Sequence, residues 1–398
     1  MRAERGLLVL ILLAGACRPA AAPSVAPACA PASPCASAHA TAGPPSMPAP
    51  AAAPVEALFM GDAQHTGRSN HHGPRRTPAV KWRFQSEGRI QAAPLIDGRG
   101  HVIVASLDGK LRALTAEGAP VFELDAGAPI SATPVIASDG TIWVGTEGGR
   151  VLTVRHDGQL LARHAVGAPV RAALALAPDG TVLVAADGVH GFTRELTRRF
   201  HHPTADRIHS APAVHPSGLV VFGTVHGQVR AIDLEGRLRW EAKAGAAVEA
   251  APTVIDDGTI VVGNLLGHVV GLAPDGSERF RFEPEGEFGV HAAVAFTRTG
   301  MLAVGRDDGG VQVFDRMGHP IAHFQTSAAV RAPIRVDAGG TLYVGSRDDN
   351  LYAFSEDGTP RWLYNLGQDI DAPAAIAKDG TLYVGTDHGA LYALHESP

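Results

Sequence analysis

Eight polar side chains recur at one phase of this 398-residue chain: Gln91, Ser131, Arg171, His209, Glu249, His291, Arg331 and Asp371. Each stands nine residues before a glycine, at Gly100, Gly140, Gly180, Gly218, Gly258, Gly300, Gly340 and Gly380. Their neighbours are mostly Ala, Pro and small apolar residues, so a polar group at this phase is a feature of the pattern. Imidazole, guanidinium and carboxylate groups that converge in a concavity can hold a small molecule or an ion. The plainer outcome is mutual pairing, with Glu249 between His209 and His291 and Arg331 beside Asp371, which costs little where water enters.

Other residues could also do chemistry. Asp108, Asp307, Asp308, Asp348, Asp349 and Asp387 form an acidic set that could meet a basic partner or a cation. Aspartate is also favoured in β-turns, as in Asp108-Gly109, and that accounts for most of the set. His65, His71 and His72 lie in a polar run, Gly61-Asp-Ala-Gln-His-Thr-Gly-Arg-Ser69 and the residues after it. Their spacing matches no standard ligand motif, and no metal site is expected there. The sequence has no Gly-x-Ser-x-Gly elbow, no phosphate-binding loop and no His-Glu-x-x-His, so no catalytic residue is assigned. A net charge of −6 gives no reason to expect a nucleic-acid partner.

The elements that must position these groups follow from the glycines, whose spacings are 40, 40, 38, 40, 42, 40 and 40 residues. A small residue follows each by five positions (Ala105, Gly145, Ala185, Gly223, Gly263, Gly305, Gly345, Gly385). A third marker, aromatic in six copies, precedes each by eighteen: Trp82, Phe122, Ala162, Phe200, Trp240, Phe280, Ala322 and Trp362. Turn dipeptides such as Asp139-Gly140 and Asp257-Gly258 divide each copy into four β-type runs of about five residues. In the second copy three of these runs are Ala132–Ile136, Thr141–Gly145 and Arg150–Val154. A period near 40 with four strands per copy predicts an all-β, eight-bladed β-propeller of four-stranded blades over residues 78–398. The eighth copy ends after its third strand, and the missing strand stands at the front as Val80-Lys-Trp-Arg-Phe84, which should complete that blade and close the ring. The polar ring then sits at the start of the innermost strands, near the mouth of the central channel. The acidic loops open on the same face, in blades six, seven, eight and one. Residues 57–77 form a polar lead-in that crosses one face of the wheel.

The unit Ala-x-x-x-Asp/Glu-Gly-x-x-x-Trp/Phe, seen from Ala231 to Trp240 and Ala353 to Trp362, is followed by Ala-Pro-x-Val and Gly-Thr-Leu-Tyr-Val-Gly. It resembles the PQQ-like β-propeller repeat over residues 78–398, with the family's longer Asp-x-x-Thr-Gly shortened to Asp-Gly or Glu-Gly. That resemblance implies either a lipoprotein similar to the outer-membrane β-barrel assembly propeller or a quinoprotein dehydrogenase that binds PQQ with calcium. The propeller contains no cysteine for a quinone-covering pair and few tryptophans for a stacking platform, so no cofactor is expected. A ligand- or polysaccharide-binding receptor that uses the channel mouth is the other alternative.

At the front, Met1-Arg-Ala-Glu-Arg5, the apolar Leu7–Leu13 and Ala14-Gly-Ala-Cys17 resemble a bacterial lipoprotein signal with Cys17 as the lipidation site. Residues 1–17 are thus a signal and anchor, and Arg18 suits delivery to the outer membrane. The Ala/Pro-rich residues 18–56 form an extended tether holding Cys29 and Cys35, for which no structural role is expected. The expectation is an exported protein, held to the membrane through its lipid and facing the periplasm or the cell surface. It would act as a non-enzymatic scaffold for an envelope protein partner.

Overall fold

The computed structural model describes residues 56–396, and the expected lipidation residue Cys17, together with Cys29, Cys35 and most of the expected tether, lies outside them. Thirty-two strands form eight four-stranded antiparallel sheets. In blade 1 these are Leu95–Ile96, Val102–Ala105, Lys110–Leu114 and Pro120–Asp125, running from the channel outwards. Blade 8 is built from Ala375–Ile376, Leu382–Gly385, Ala390–His395 and the N-terminal strand Ala79–Gln85. Ala79 pairs with His395 and Gln85 with Ala390, so the two ends of the repeat region share one sheet, as expected. The apolar residues collect between neighbouring blades. Leu95 and Ile103 of blade 1 pack with Ile136 and Ile142 of blade 2, and the same arrangement joins blade 8 to blade 1.

The third marker is explained by size matching across the two outer strands. Trp82, Phe122, Trp240 and Trp362 each stand opposite an alanine, and Phe200 and Phe280 opposite a glycine. Where the marker is itself alanine, the partner is larger: Ala162 faces Thr153 and Ala322 faces Val313. Volume is conserved across the pair, and cores tolerate this kind of exchange best. Each tryptophan here also ties one blade to the next. Trp82 Nε1 donates to the Ala116 carbonyl at 2.8 Å, and Trp240 Nε1 to the Pro274 carbonyl at 2.8 Å, both in the following hairpin turn. Blade 8 has no such turn, and Trp362 Nε1 donates instead to the Pro74 carbonyl at 2.9 Å. The lead-in therefore substitutes for the missing hairpin.

The innermost strands differ from expectation. They are two residues long rather than five, as in Val135–Ile136 within the expected Ala132–Ile136. Proline directly precedes four of them (Pro94, Pro134, Pro212, Pro252) and cannot donate to a ladder. Consequently the ring residues lie four positions before the innermost strand, in the segment that leads into it.

The lead-in does cross one face, and it does so by backbone hydrogen bonding. Glu56, expected as the last tether residue, belongs to this segment, because it bridges to Ile96. Carbonyls of Glu56, Ala57, Ala63, Gln64, Thr66 and Gly67 accept from the innermost strands at Ile96, Ile136, Val214, Val254, Phe296 and Val336. Met60 fills the channel axis, 1% exposed, against Ala173, Ala211, Ala251 and Ala293. Arg335 of blade 7 reaches under this plug and donates to Glu56 Oε2 at 2.7 Å, with both side chains buried.

Candidate functional site

The polar ring is placed by the residue in front of each member. Ile90, Ile130, Val170, Ile208, Val248, Val290, Val330 and Ile370 immediately precede the eight ring positions, and all are β-branched. Their side chains insert at the second marker of the preceding blade: a Cβ added at Gly145 would lie 2.3 Å from Val170 Cγ1, and one at Gly385 2.3 Å from Ile90 Cγ2. The backbone amides of Val170 and Ile90 also donate to the Thr146 and Thr386 carbonyls beside those markers. A stiff side chain in a glycine socket fixes the next residue's direction. That next residue is the ring member.

Seven of the eight (Gln91, Ser131, Arg171, His209, Glu249, His291 and Arg331) line one cup of about 160 Å3 at the channel mouth. Small residues such as Thr133, Ala211 and Ala251 form its wall, and Phe59 of the lead-in is at its floor. The lead-in thus makes the channel blind on this side. Asp371 is not part of the lining.

The ring is internally paired. His209 Nδ1 donates to Glu249 Oε1 at 3.3 Å, and His291 Nδ1 donates to Glu249 Oε2 at 3.2 Å. His291 Nε2 donates to Asp307 Oδ2 at 2.9 Å, and Arg331 Nε to Asp307 Oδ1 at 2.7 Å. Hydrogen bonds from His209 and then His291 hold the Glu249 carboxyl well below its usual range. The bond to Glu249, opposed by burial and helped by Asp307, raises the His291 imidazole above its ordinary value. With carboxylates on both ring nitrogens, His291 stands at the centre of a chain of pairs from His209 to Arg331. Burial disfavours the Asp307 carboxylate, but Arg331 and His291 outweigh it and keep its pKa low.

The placement of Glu249 between the two histidines is as the sequence suggested. The pairing of Arg331 with Asp371 is not: Arg331 binds Asp307, and Asp371 accepts from Arg347 Nε at 2.9 Å. The reason is a second register that the sequence reading did not use. Two positions after the second marker, Glu147, Asp307, Arg347 and Asp387 reach from the loop towards the ring. Glu147 accepts from Ser131 Oγ at 2.8 Å and from Arg171 at 3.3 Å, and Asp387 lies 3.6 Å from Arg89. Asp307 and Asp387 belong to the acidic set, and Glu147 and Arg347 share their offset.

The remaining acidic residues are turn residues. Asp108, Asp308 and Asp348 each accept the amide two residues on, from Lys110, Gly310 and Asn350. Asp349 takes a positive φ of 68° in its turn. Asp108 is further neutralised by Arg112 at 2.8 Å and Asp308 by Arg306 at 2.8 Å. The three lead-in histidines do not converge. Buried His65 bonds the Pro252 carbonyl at 3.1 Å, and burial lowers its pKa to about 4. His72 faces Asp337 at 4.0 Å, and the His71 carbonyl accepts from Ala338.

A ring of eight four-stranded blades, sealed by an N-terminal strand and decorated at one repeat register, defines a PQQ-like β-propeller. The chain belongs to the family described as outer membrane protein assembly factor BamB, matched over residues 75–189, 175–285, 225–321 and 307–397. Among solved structures it is similar to BamB from Moraxella catarrhalis, at 18% identity over 80% of this chain and 100% of that one, with a TM-score of 0.67. The quinohemoprotein alcohol dehydrogenase from Comamonas testosteroni superposes at 13% identity over 88% of this chain and 82% of that one, with a TM-score of 0.73. A computationally designed protein, Ika8, matches at 14% identity over 78% of this chain and 97% of that one, with a TM-score of 0.67. These likenesses show the fold. No curated protein sequence matches significantly.

Proposed function

We propose that this protein is an exported, lipid-anchored propeller that serves as a non-enzymatic binding scaffold in the bacterial envelope, in the assembly of outer-membrane proteins. The observation that carries this reading is the family match running from residue 75 to residue 397, across all eight blades. Cys17, with the apolar run before it, supplies the anchor, and the loops and blade edges supply docking surface for an envelope protein.

The competing reading is a quinone-dependent dehydrogenase, favoured by the fold likeness to the Comamonas enzyme. The cup argues against it. At about 160 Å3 it falls short of the ~300 Å3 at which pockets for drug-sized ligands begin. Glu249, the one carboxylate among its lining residues, already bridges two imidazoles. Calcium prefers six to eight oxygen ligands, and the cup offers few that are free. The receptor reading meets the same limit of space, so a ligand there would be smaller than a sugar chain.

In-cell crosslinking from the channel-mouth loops, followed by identification of the captured protein, tests the scaffold. The expected result is a component of outer-membrane protein assembly. Purified protein mixed with PQQ and calcium should bind no stoichiometric quinone and oxidise no alcohol or sugar. Turnover that Glu249→Gln abolishes would replace the scaffold with an enzyme. For the anchor, Cys17→Ser should move a folded propeller out of the membrane fraction, and unchanged partitioning would overturn it.

A further inference from the structure

Blade 3 departs from the other blades. Its repeat is 38 residues long rather than 40, and the shortening falls in the hairpin between its second strand, Val182–Ala185, and its third, Gly188–Phe192. Two residues, Ala186 and Asp187, make that turn, where blade 1 uses four (Ser106 to Gly109). The tighter turn brings Asp187 over the third strand. There His190 stands directly opposite His201 of the outer strand, and their rings stack with centroids 4.1 Å apart. His190 Nε2 is 2.7 Å from Asp187 Oδ1, and His201 Nε2 is 3.3 Å from the same oxygen.

At the same register, blade 1 carries Asp108, Arg112 and Glu123. Arg112 bonds both carboxylates at 2.8 Å, and that triad is closed. Blade 3 replaces the guanidinium and the second carboxylate with two imidazoles. Both then aim at one carboxylate oxygen, and His201 Nε2 is buried without a properly formed hydrogen bond. His190 is 1% exposed. The three ligand atoms lie within 4.8 Å of one another. Tetrahedral zinc with bonds of ~2.0–2.1 Å needs its ligands roughly 3.3 Å apart. The two nitrogen–oxygen spacings are 2.7 and 3.3 Å, and one imidazole must turn out of the stack for both lone pairs to meet the ion.

The surroundings are built for this cluster. Gly188 has φ +151°, and a Cβ there would lie 3.0 Å from His201 Nε2 and 2.2 Å from the His202 carbonyl oxygen, so no larger residue fits. A cavity of about 380 Å3, bounded by Asp187, Arg171, Asp206, Arg207 and His209, lies beside the shortened turn. The Asp187 side chain is 47% exposed, which gives an ion a path in.

From this geometry we propose that Asp187, His190 and His201 form a binding site for a divalent transition metal of the zinc class. Two imidazoles and a carboxylate select zinc, cobalt, nickel or copper over calcium or magnesium. One ion would satisfy the two ring nitrogens and the carboxylate that now compete for each other. The fourth position stays open to solvent on the exposed side of Asp187. None of the three ligands lines the cup, and the site does not depend on the scaffold reading.

The test uses tag-free, metal-stripped full-length protein equilibrated with Zn2+ or Co2+. One ion per chain should bind, and the Co2+ form should show visible absorption typical of four- or five-coordinate nitrogen and oxygen ligation. His201→Gln, on the partly exposed outer strand, and Asp187→Asn should each weaken binding more than tenfold, since even outer-sphere changes cost about 10–100-fold. The variant His291→Gln, at a ring histidine that does not border this cavity, should bind as the wild type does. A wild-type melting rise with Zn2+ that His201→Gln removes, at unchanged metal-free melting, separates ligation from folding. No stoichiometric binding, or binding lost with His291→Gln instead, overturns the site.

Discussion

Glu56→Ala should be among the most damaging single changes in the lead-in. The residue sits at the start of that segment, and among the described residues its only charged contact is Arg335, 279 residues further on. The two side chains are 5% and 2% exposed. Removing one partner of such a pair leaves a buried charge without compensation, which costs about 3–5 kcal/mol. Arg335 Nε already lacks a partner, so little else can take over. Asp62 lies near enough to attract the guanidinium, which puts the expectation at the low end, about 3 kcal/mol. Adding Arg335→Met removes the stranded charge and should recover most of the loss. Urea unfolding followed through tryptophan emission reads this as a fall in midpoint at constant slope. Trp143, fully buried between blades, is the natural reporter. A loss under about 1 kcal/mol, or no recovery in the double variant, would mean that the pair does not hold the plug.

Deleting residues 79–85 removes the outer strand of blade 8 and exposes the Ala390–His395 edge, so the truncated protein should aggregate or melt far lower; unchanged melting would refute the closure. Gly145→Val forces side-chain atoms onto Val170 and should cost roughly 1–3 kcal/mol or more by thermal melting, whereas a neutral result would refute the socket. The raised His291 pKa means its pairing contributes stability fully below the unfolded value of ~6.5 and loses it as pH climbs through the folded value. An NMR titration should find His291 titrating above ~6.5, and Glu249→Gln should bring it back down; a wild-type value at or below ~6.5 refutes the chain of pairs.

The blade count and the closure were legible because glycine and aromatic markers carry a backbone requirement, and such requirements repeat strictly. The facing of Trp82 and Ala393 shows why, since a large residue at one marker dictates a small one across the sheet. Seven of the eight ring positions were legible for the same reason, whereas Asp371 turns to Arg347 and does not line the cup. Ring pairing was only half legible. Glu249 reaches both histidine neighbours because all three sit at one radius, but Arg331 turns to Asp307 on a loop, and sequence spacing gives no radial distance. The lead-in's role as a plug was hidden more deeply. Its grip is mostly backbone carbonyl to backbone amide, and such bonds leave no mark on side-chain identity. The short innermost strands could have been read from the prolines that precede four of them.

The pairing of Ala79 with His395 has a consequence in time. The first strand of the wheel to be synthesised is the last to find its partner, because that partner lies at the opposite end of the chain. Until then a seven-residue strand, Ala79–Gln85, has no ladder, and blade 8 cannot form. Contacts so distant in sequence form late and slowly. The lead-in meets the innermost strands of blades 1, 2, 4, 5, 6 and 7 in the order in which they are made. In the finished wheel it therefore ties six blades to the segment that carries the closing strand.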